Sequence, residues 1–167
     1  QVPFLARITV NIDPSGCEGP EDYRSDEVGI TVTAKDHQKR GYLLEDASGR
    51  YSPKQWAIKA KELYDKWGAD VIIAERNYGG AMVKAVIRAA GAHVPFREVK
   101  ASRGKHVRAE PIATLYSQGK VRHYGRFPHL EDQLMAFSTS GYKGDRSPDR
   151  ADAMVWAVAD LFPSITA

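Results

Sequence analysis

The segment "ADVIIAERN", residues 69–77, holds an unbroken apolar run from Val71 to Ala74 and then an acid, Glu75. A run this short and this continuously apolar marks a strand buried on both faces. Such a strand needs cover on each side, and the neighbouring segments supply it. Upstream, Ser52 caps a helix with Pro53 at its first position; Trp56, Ala60, Leu63, Tyr64 and Trp67 then recur at helical spacing until Gly68 stops it. Downstream, a helix over 80–90 packs Met82, Val83, Val86 and Ile87. Helix, buried strand and helix in succession predict an α/β domain with parallel strands joined by helical crossovers.

The amino-terminal third reads differently. Residues 6–13, "ARITVNID", alternate apolar and polar side chains around β-branched Ile8, Val10 and Ile12, and the strand ends at Asp13 before Pro14 and Gly16. The alternation repeats over 26–36 through Val28, Ile30 and Val32, and 40–50 gives a third short strand ended by Ser48 and Gly49. Three strands with short links predict an antiparallel meander. Residues 93–102 read as a fifth strand, followed by a helix through Ile112, Leu115 and Tyr116 to Gly119, in which Pro111 marks either the first turn or a kink. "KVRHYG" (120–125) is too short to type, 130–138 reads as a short helix, 139–148 as a polar loop, and 148–161 as the last helix. The expected architecture is a mixed five-stranded sheet, a meander plus parallel strands, flanked by helices.

With 167 residues, 43% of them hydrophobic, the chain supports one ordinary core and reads as a single domain over 1–167. Cys17 is the one cysteine, and no apolar run suits a bilayer span or a signal peptide, so a soluble, reducing, intracellular setting is expected. The opening "QVPFLA" has no initiator Met, which suggests a cut or processed chain, with residues 1–5 a linker remnant. Charge is unevenly spread. Between Arg97 and Arg126 eight Lys and Arg face two acids, whereas the rest of the chain carries sixteen against nineteen. A basic stretch beside separate acidic positions suits a protein that holds a polyanion in one place and cations in another, although a solvated basic surface would look the same.

The acids themselves are informative. Asp13 and Glu75 end the first and fourth strands, and if those strands are parallel neighbours, both leave from the same carboxyl edge, where open α/β sheets bind ligands. Two carboxylates that close repel unless a cation lies between them or one holds a proton. Asp13 before Pro14 also suits a turn start, whereas Glu75 at the end of an apolar run gains nothing from packing. Asp149 and Asp152, at i and i+3, open the last helix beside Pro148. The helix dipole favours acids there, and Asp149 suits the cap. Asp152 is followed by Ala153, Met154, Val155, Trp156 and Val158, which set the helix against the core on more than one side. An acid at that depth needs a partner, and a metal shared with Asp13 and Glu75 would provide one. Hard carboxylate oxygens suit Mg²⁺ or Mn²⁺; zinc is disfavoured, because His37, His93, His106, His123 and His129 show no paired ligand spacing. With a polyanion nearby, that chemistry points to phosphodiester hydrolysis by two metals about 4 Å apart.

Acids at the end of strand one, the end of strand four and the start of the last helix resemble the ribonuclease H-like superfamily. More narrowly, "VNIDPSG", "VIIAERNYGGAMV", "VKASRGKHVRAEPIATLYSQGKVRH" and "SPDRADAMVWAVADLF" look like the nuclease domain of the large terminase subunit of tailed bacteriophages. The resemblance covers nearly the whole chain, in the family's order. It implies that Asp13, Glu75 and Asp152 are catalytic metal-binding acids, with Asp149 a further acid near a second Mg²⁺ or Mn²⁺. It also implies DNA-backbone contacts from Lys105 and Arg108, with Lys100 and Arg103 as further candidates; independently, the loop over 138–147, with Gly141, Gly144, Lys143 and Arg146, suits movement over DNA and makes Lys143 and Arg146 candidate contacts. Implied partners are double-stranded DNA, the ATPase domain of the full-length terminase, the portal protein and the small terminase subunit, in the cytoplasm of the infected host and with no membrane. No G-x-x-x-x-G-K-[ST] occurs, so ATP is not expected to bind here and the ATPase domain is expected upstream. A junction resolvase or transposase-like enzyme would use the same acids, and a metal-free module docking on DNA or portal would use them only as caps and solvated surface.

Overall fold

The structure is a computed structural model that describes residues 5–14, 28–75, 80–89, 91, 93–99, 105–138, 141–142 and 149–162; for residues 75, 80–83, 105–110, 137–138, 141–142, 149, 152, 156 and 160 the description covers the backbone alone. β1 (Leu5–Asp13), β2 (Gly29–Asp36) and β3 (Gly41–Asp46) form the expected meander. α1 (Pro53–Trp67) leads to β4 (Val71–Glu75), which lies parallel to β1, and α2 (Gly80–Ala89) leads to β5 (Phe96–Val99), parallel to β4. Beyond these come α3 (Lys105–Ser117), β6 (Val121–His123), α4 (Pro128–Met135), the short pair β7 (Phe137–Ser138) and β8 (Gly141–Tyr142), and α5 (Asp149–Leu161).

The main sheet has six strands in the order β5-β4-β1-β2-β3-β6, one more than expected. The addition is β6, where the segment too short to type pairs parallel to β3 through Val121, Arg122 and His123. Only Val121 of the three is buried, so neither periodicity nor composition marks it as a strand. Part of the loop expected over 139–148 is likewise strand, because Gly141 and Tyr142 pair with Ser138 and Phe137. Pro111 lies inside α3, well past its first turn.

Two cores flank the sheet. On one side α1 packs Trp56, Ala57, Ala60 and Leu63 against Val10, Ile12, Ile30, Val32 and Leu44, with Ile87 of α2 in the same cluster. On the other side α5, through Met154, Val155, Val158 and Leu161, gathers Leu43 of the sheet with Ile112 and Leu115 of α3 and Leu130 of α4. Among the described residues no helix is long and apolar enough to cross a membrane.

Candidate functional site

Asp13 closes β1 and is 0% exposed. A carboxylate taken out of water requires compensating charge or donors around it. Strand alternation sends Val10 and Ile12 into the α1 core, so Thr9, Asn11 and Asp13 belong to the face covered by α5. In the parallel ladder Ile12 stands opposite Ala74, and one residue on, Asp13 and Glu75 end their strands at neighbouring positions of one edge. Adjacent strands are about 4.8 Å apart, so these positions are first neighbours.

The direction of α5 follows from its two ends. At its start, Arg150 Nη1 donates to Asp46 Oδ2 at 2.8 Å, and Asp46 ends β3 beside Thr31, at the edge where Asp13 faces Gly29. At its finish, Lys35 Nζ donates to the Leu161 carbonyl at 2.7 Å and stands 5.0 Å from the Phe162 ring centroid, at the opposite edge of β2. The helix therefore begins over the carboxyl edge of β1 and β4. Asp149 is its first residue and Asp152 lies in its first turn. The fold brings the four acidic positions named from the sequence to one edge, with the side chains of Glu75, Asp149 and Asp152 outside the described residues.

The basic candidates divide. Lys105 and Arg108 lie in the first turns of α3, which opens shortly after β5 leaves that same edge; their side chains are outside the described residues. Lys100, Arg103, Lys143 and Arg146 lie outside the described residues altogether.

Beneath α5 the sheet carries a polar floor that sequence reading missed. Thr9, Asn11, Thr31 and Thr33 are each at most 1% exposed. Asn11 Nδ2 donates to Thr33 Oγ1 at 3.0 Å and to the Thr31 carbonyl at 3.2 Å, while its Oδ1 accepts from the Thr9 hydroxyl at 3.0 Å. Strict polar alternation usually signals a wet face; here a helix covers it, and only the side-chain pairing across β1 and β2 shows why that is tolerated.

The donors suit a hard divalent ion. They are carboxylate oxygens, one of them fully buried, at the edge where two parallel strands end, which is what Mg²⁺ or Mn²⁺ takes. Among the histidines whose side chains are described, none is gathered there: His37, His93 and His129 are exposed, and His123, on the edge strand β6, is held between Tyr116 Oη at 2.7 Å and Glu131 Oε1 at 2.9 Å. Among the described residues no three His, Cys, Asp or Glu side chains form a metal-holding group.

Comparison with known proteins bears on the family and the fold. The family model described as "Terminase RNaseH-like domain" matches residues 10–161. The large terminase nuclease of thermophilic phage G20c, solved with bound cobalt, is 18% identical with a TM-score of 0.65, covering 92% of this chain and 80% of that one. The nuclease domain of the large terminase subunit of bacterial virus Sf6 is 14% identical with a TM-score of 0.64, covering 93% and 88%. The yeast mitochondrial Holliday junction resolvase shares the fold more loosely, at 12% identity and a TM-score of 0.52, covering 96% and 80%. No curated protein sequence matches the chain.

Proposed function

This chain belongs to the family of terminase RNase H-like domains, and we propose that it is the metal-dependent endonuclease of a phage packaging motor, cutting concatemeric double-stranded DNA by phosphodiester hydrolysis. The observation that carries the reading is the meeting of three element ends, those of β1, β4 and the start of α5, at one edge where Asp13 is fully buried.

Asp13 and Glu75 hold Mg²⁺ or Mn²⁺ from the sheet, and Asp152 with Asp149 closes the ligand set from the helix. When bound there, two such ions would supply an activated water and positive charge for the leaving oxygen. Lys105 and Arg108, with Lys100, Arg103, Lys143 and Arg146, hold the DNA backbone across the edge. Contacts of that kind are to phosphate, so binding is salt-sensitive and weakly sequence-selective. In this reading the chain is a nuclease domain that works with the ATPase domain of the terminase, which confines cutting to the start and end of packaging. The portal protein and small subunit are its other partners, in the host cytoplasm.

The loose likeness to a junction resolvase favours one alternative, a structure-selective enzyme using the same acids. Supercoiled plasmid and a four-way junction, each incubated with Mg²⁺, Mn²⁺, Ca²⁺ or EDTA, separate the readings for wild type, Asp13→Asn and Asp152→Asn. Plasmid linearisation that needs Mg²⁺ or Mn²⁺ and is lost in both variants supports the packaging nuclease. Cleavage restricted to the junction supports the resolvase, and cleavage retained by Asp13→Asn overturns the metal site.

A further inference from the structure

α5 has to place two acids over the sheet edge; its larger side chains, Met154, Val155, Val158 and Leu161, join Leu43 and residues of α3 and α4, while part of the surface beneath it is built of short side chains. It packs on β1 and β2, whose covered face carries Thr9, Asn11, Thr31 and Thr33, and its own buried residues include Ala151, Ala153 and Ala157. A helix rises about 1.5 Å per residue, whereas metal-ligand distances hold to roughly 0.2 Å. A slide of a fraction of one residue would spoil a ligand set shared between helix and sheet.

A defect in β3 answers that need. Val32 pairs with Glu45 and Thr33 with Leu43, so Leu44 is an extra residue, a β-bulge. Tyr42 and Leu44 both face the α1 core. Without the bulge Asp46 would follow them to that side. The extra residue turns Glu45 to α1 instead, where it accepts from Trp67 Nε1 at 2.7 Å, and delivers Asp46 to the α5 face.

There both carboxylate oxygens of Asp46 are engaged. Oδ2 accepts from Arg150, with the two side chains 5% and 13% exposed, and Oδ1 accepts from the Ser48 amide at 3.1 Å. Ser48 is itself fixed to β2, its hydroxyl accepting from the Ile30 amide at 2.9 Å. The next amide of α5, Ala151 N–H, donates to Gln133 Oε1 of α4 at 3.1 Å, which satisfies one of the amides left open at the helix start. Arg150 lies between Asp149 and Asp152 in the chain, so whatever holds it holds the first turn.

We infer that the Asp46–Arg150 pair is a positioning device, which sets where the first turn of α5 stands over the carboxyl edge and so tunes divalent-ion affinity. The inference rests on the metal-site reading above. Asp46 is no ligand itself: it pairs with Thr31, which pairs with Asn11, so it stands two strand spacings across and two residues back from Asp13, roughly 12 Å away. Backbone positions that far apart lie beyond what two aspartates around one ion comfortably span, and both oxygens of Asp46 are already taken by Arg150 and the Ser48 amide.

For Arg150, though not for Asp46, charge and position make opposite forecasts. Removing a cation beside a cation site tightens metal binding if only electrostatics matters, whereas removing a positioning group weakens it. The experiment is calorimetric titration of Mn²⁺, without DNA, into wild type, Asp13→Asn, Arg150→Gln, Arg150→Lys, Asp46→Asn and the Asp46→Asn/Arg150→Gln double variant, each checked by circular dichroism at the titration temperature. Lys66→Met, which breaks the exposed Lys66–Glu45 pair at the same strand end, is the control. Arg150→Gln and Asp46→Asn are expected to weaken Mn²⁺ by about tenfold or more, as loss of an orienting partner does, with the double variant no weaker than the worse single one and Lys66→Met unchanged. Arg150→Lys, which keeps the charge and loses the guanidinium geometry, should also weaken binding, by less than Arg150→Gln does. Folded Arg150→Gln binding as tightly as wild type or tighter overturns the inference; if that variant does not fold, unchanged affinity in Arg150→Lys does the same. Wild type that takes up no Mn²⁺, or Asp13→Asn that takes it up equally, fails the metal site instead.

Discussion

Asn11 shows how much one buried amide can hold. The Thr9 hydroxyl has a single proton, and if it goes to Asn11 Oδ1, then the 2.8 Å contact between Thr9 and Thr33 has Thr33 as donor, while Thr33 Oγ1 accepts from Asn11. The ring closes on itself with each hydroxyl used in both senses. Asn11→Ala would strand buried hydroxyls of Thr9 and Thr33, and an unsatisfied buried group costs roughly 1–3 kcal/mol, so a loss of about 2–4 kcal/mol is expected in urea unfolding. A loss below about 1 kcal/mol would mean that the ring contributes little beyond its backbone pairing. At this scale the sequence is unevenly legible. Asp13 and Glu75 stand out because a strand's end exposes their chemistry in the local pattern. Arg150 does not, since its partner Asp46 is 104 residues away and reaches the right face only through a bulge that no local pattern announces.

Among the elements, α1 is the one whose limits are written locally. Ser52 accepts from the Gln55 amide and Gln55 Oε1 accepts from the Ser52 amide, a reciprocal cap, and Pro53 takes the first position. At the other end Gly68 adopts φ 60° and ψ 45°, the left-handed conformation that a side chain resists, with nothing within 4 Å of an added Cβ. Ser52→Ala should therefore cost about 1 kcal/mol through the lost cap. Gly68→Ala should cost about 1 kcal/mol through backbone strain alone, since there is no clash to add. Thermal or urea unfolding of the two single variants and the double one checks both, and the distance between the sites makes additive losses the expected result. β6 is the opposite case. Its three residues are a strand because β3 offers an open edge beside them, and that edge exists only once the meander and the crossovers are in place.

For the whole molecule, the order of elements was readable because period and length distinguish a meander from helical crossovers. What was not readable is which strand ends meet, and that depends on β1 pairing with both β2 and β4 at the centre of the sheet. The same assembly fixes how stability responds to acid. Asp36, at the end of β2, is 4% exposed. Burial alone would raise its carboxyl, but the Arg40 amide, the Arg40 guanidinium at 2.8 Å and the Tyr42 hydroxyl at 2.9 Å outweigh it and hold the group down to about 2. Glu131 is lowered as well, first by its hydrogen bond with His123. Both acids thus bind a proton less readily folded than unfolded, where they titrate near about 4. Their contribution is complete above that value and drains away as pH falls from about 4 toward 2. Tyr116 acts at the other extreme: burial, then the charge of Glu131, raises its hydroxyl, so the unfolded chain ionises first and stability declines once pH passes about 10. Urea unfolding from pH 2 to 11 should show a plateau with a fall at each end. Asp36→Asn should lower the plateau by about 1–3 kcal/mol, the worth of hydrogen bonds to a charged group, and its curve should approach that of wild type as pH drops to about 2. Parallel curves across that window would show that Asp36 is not the acid whose protonation loosens the sheet.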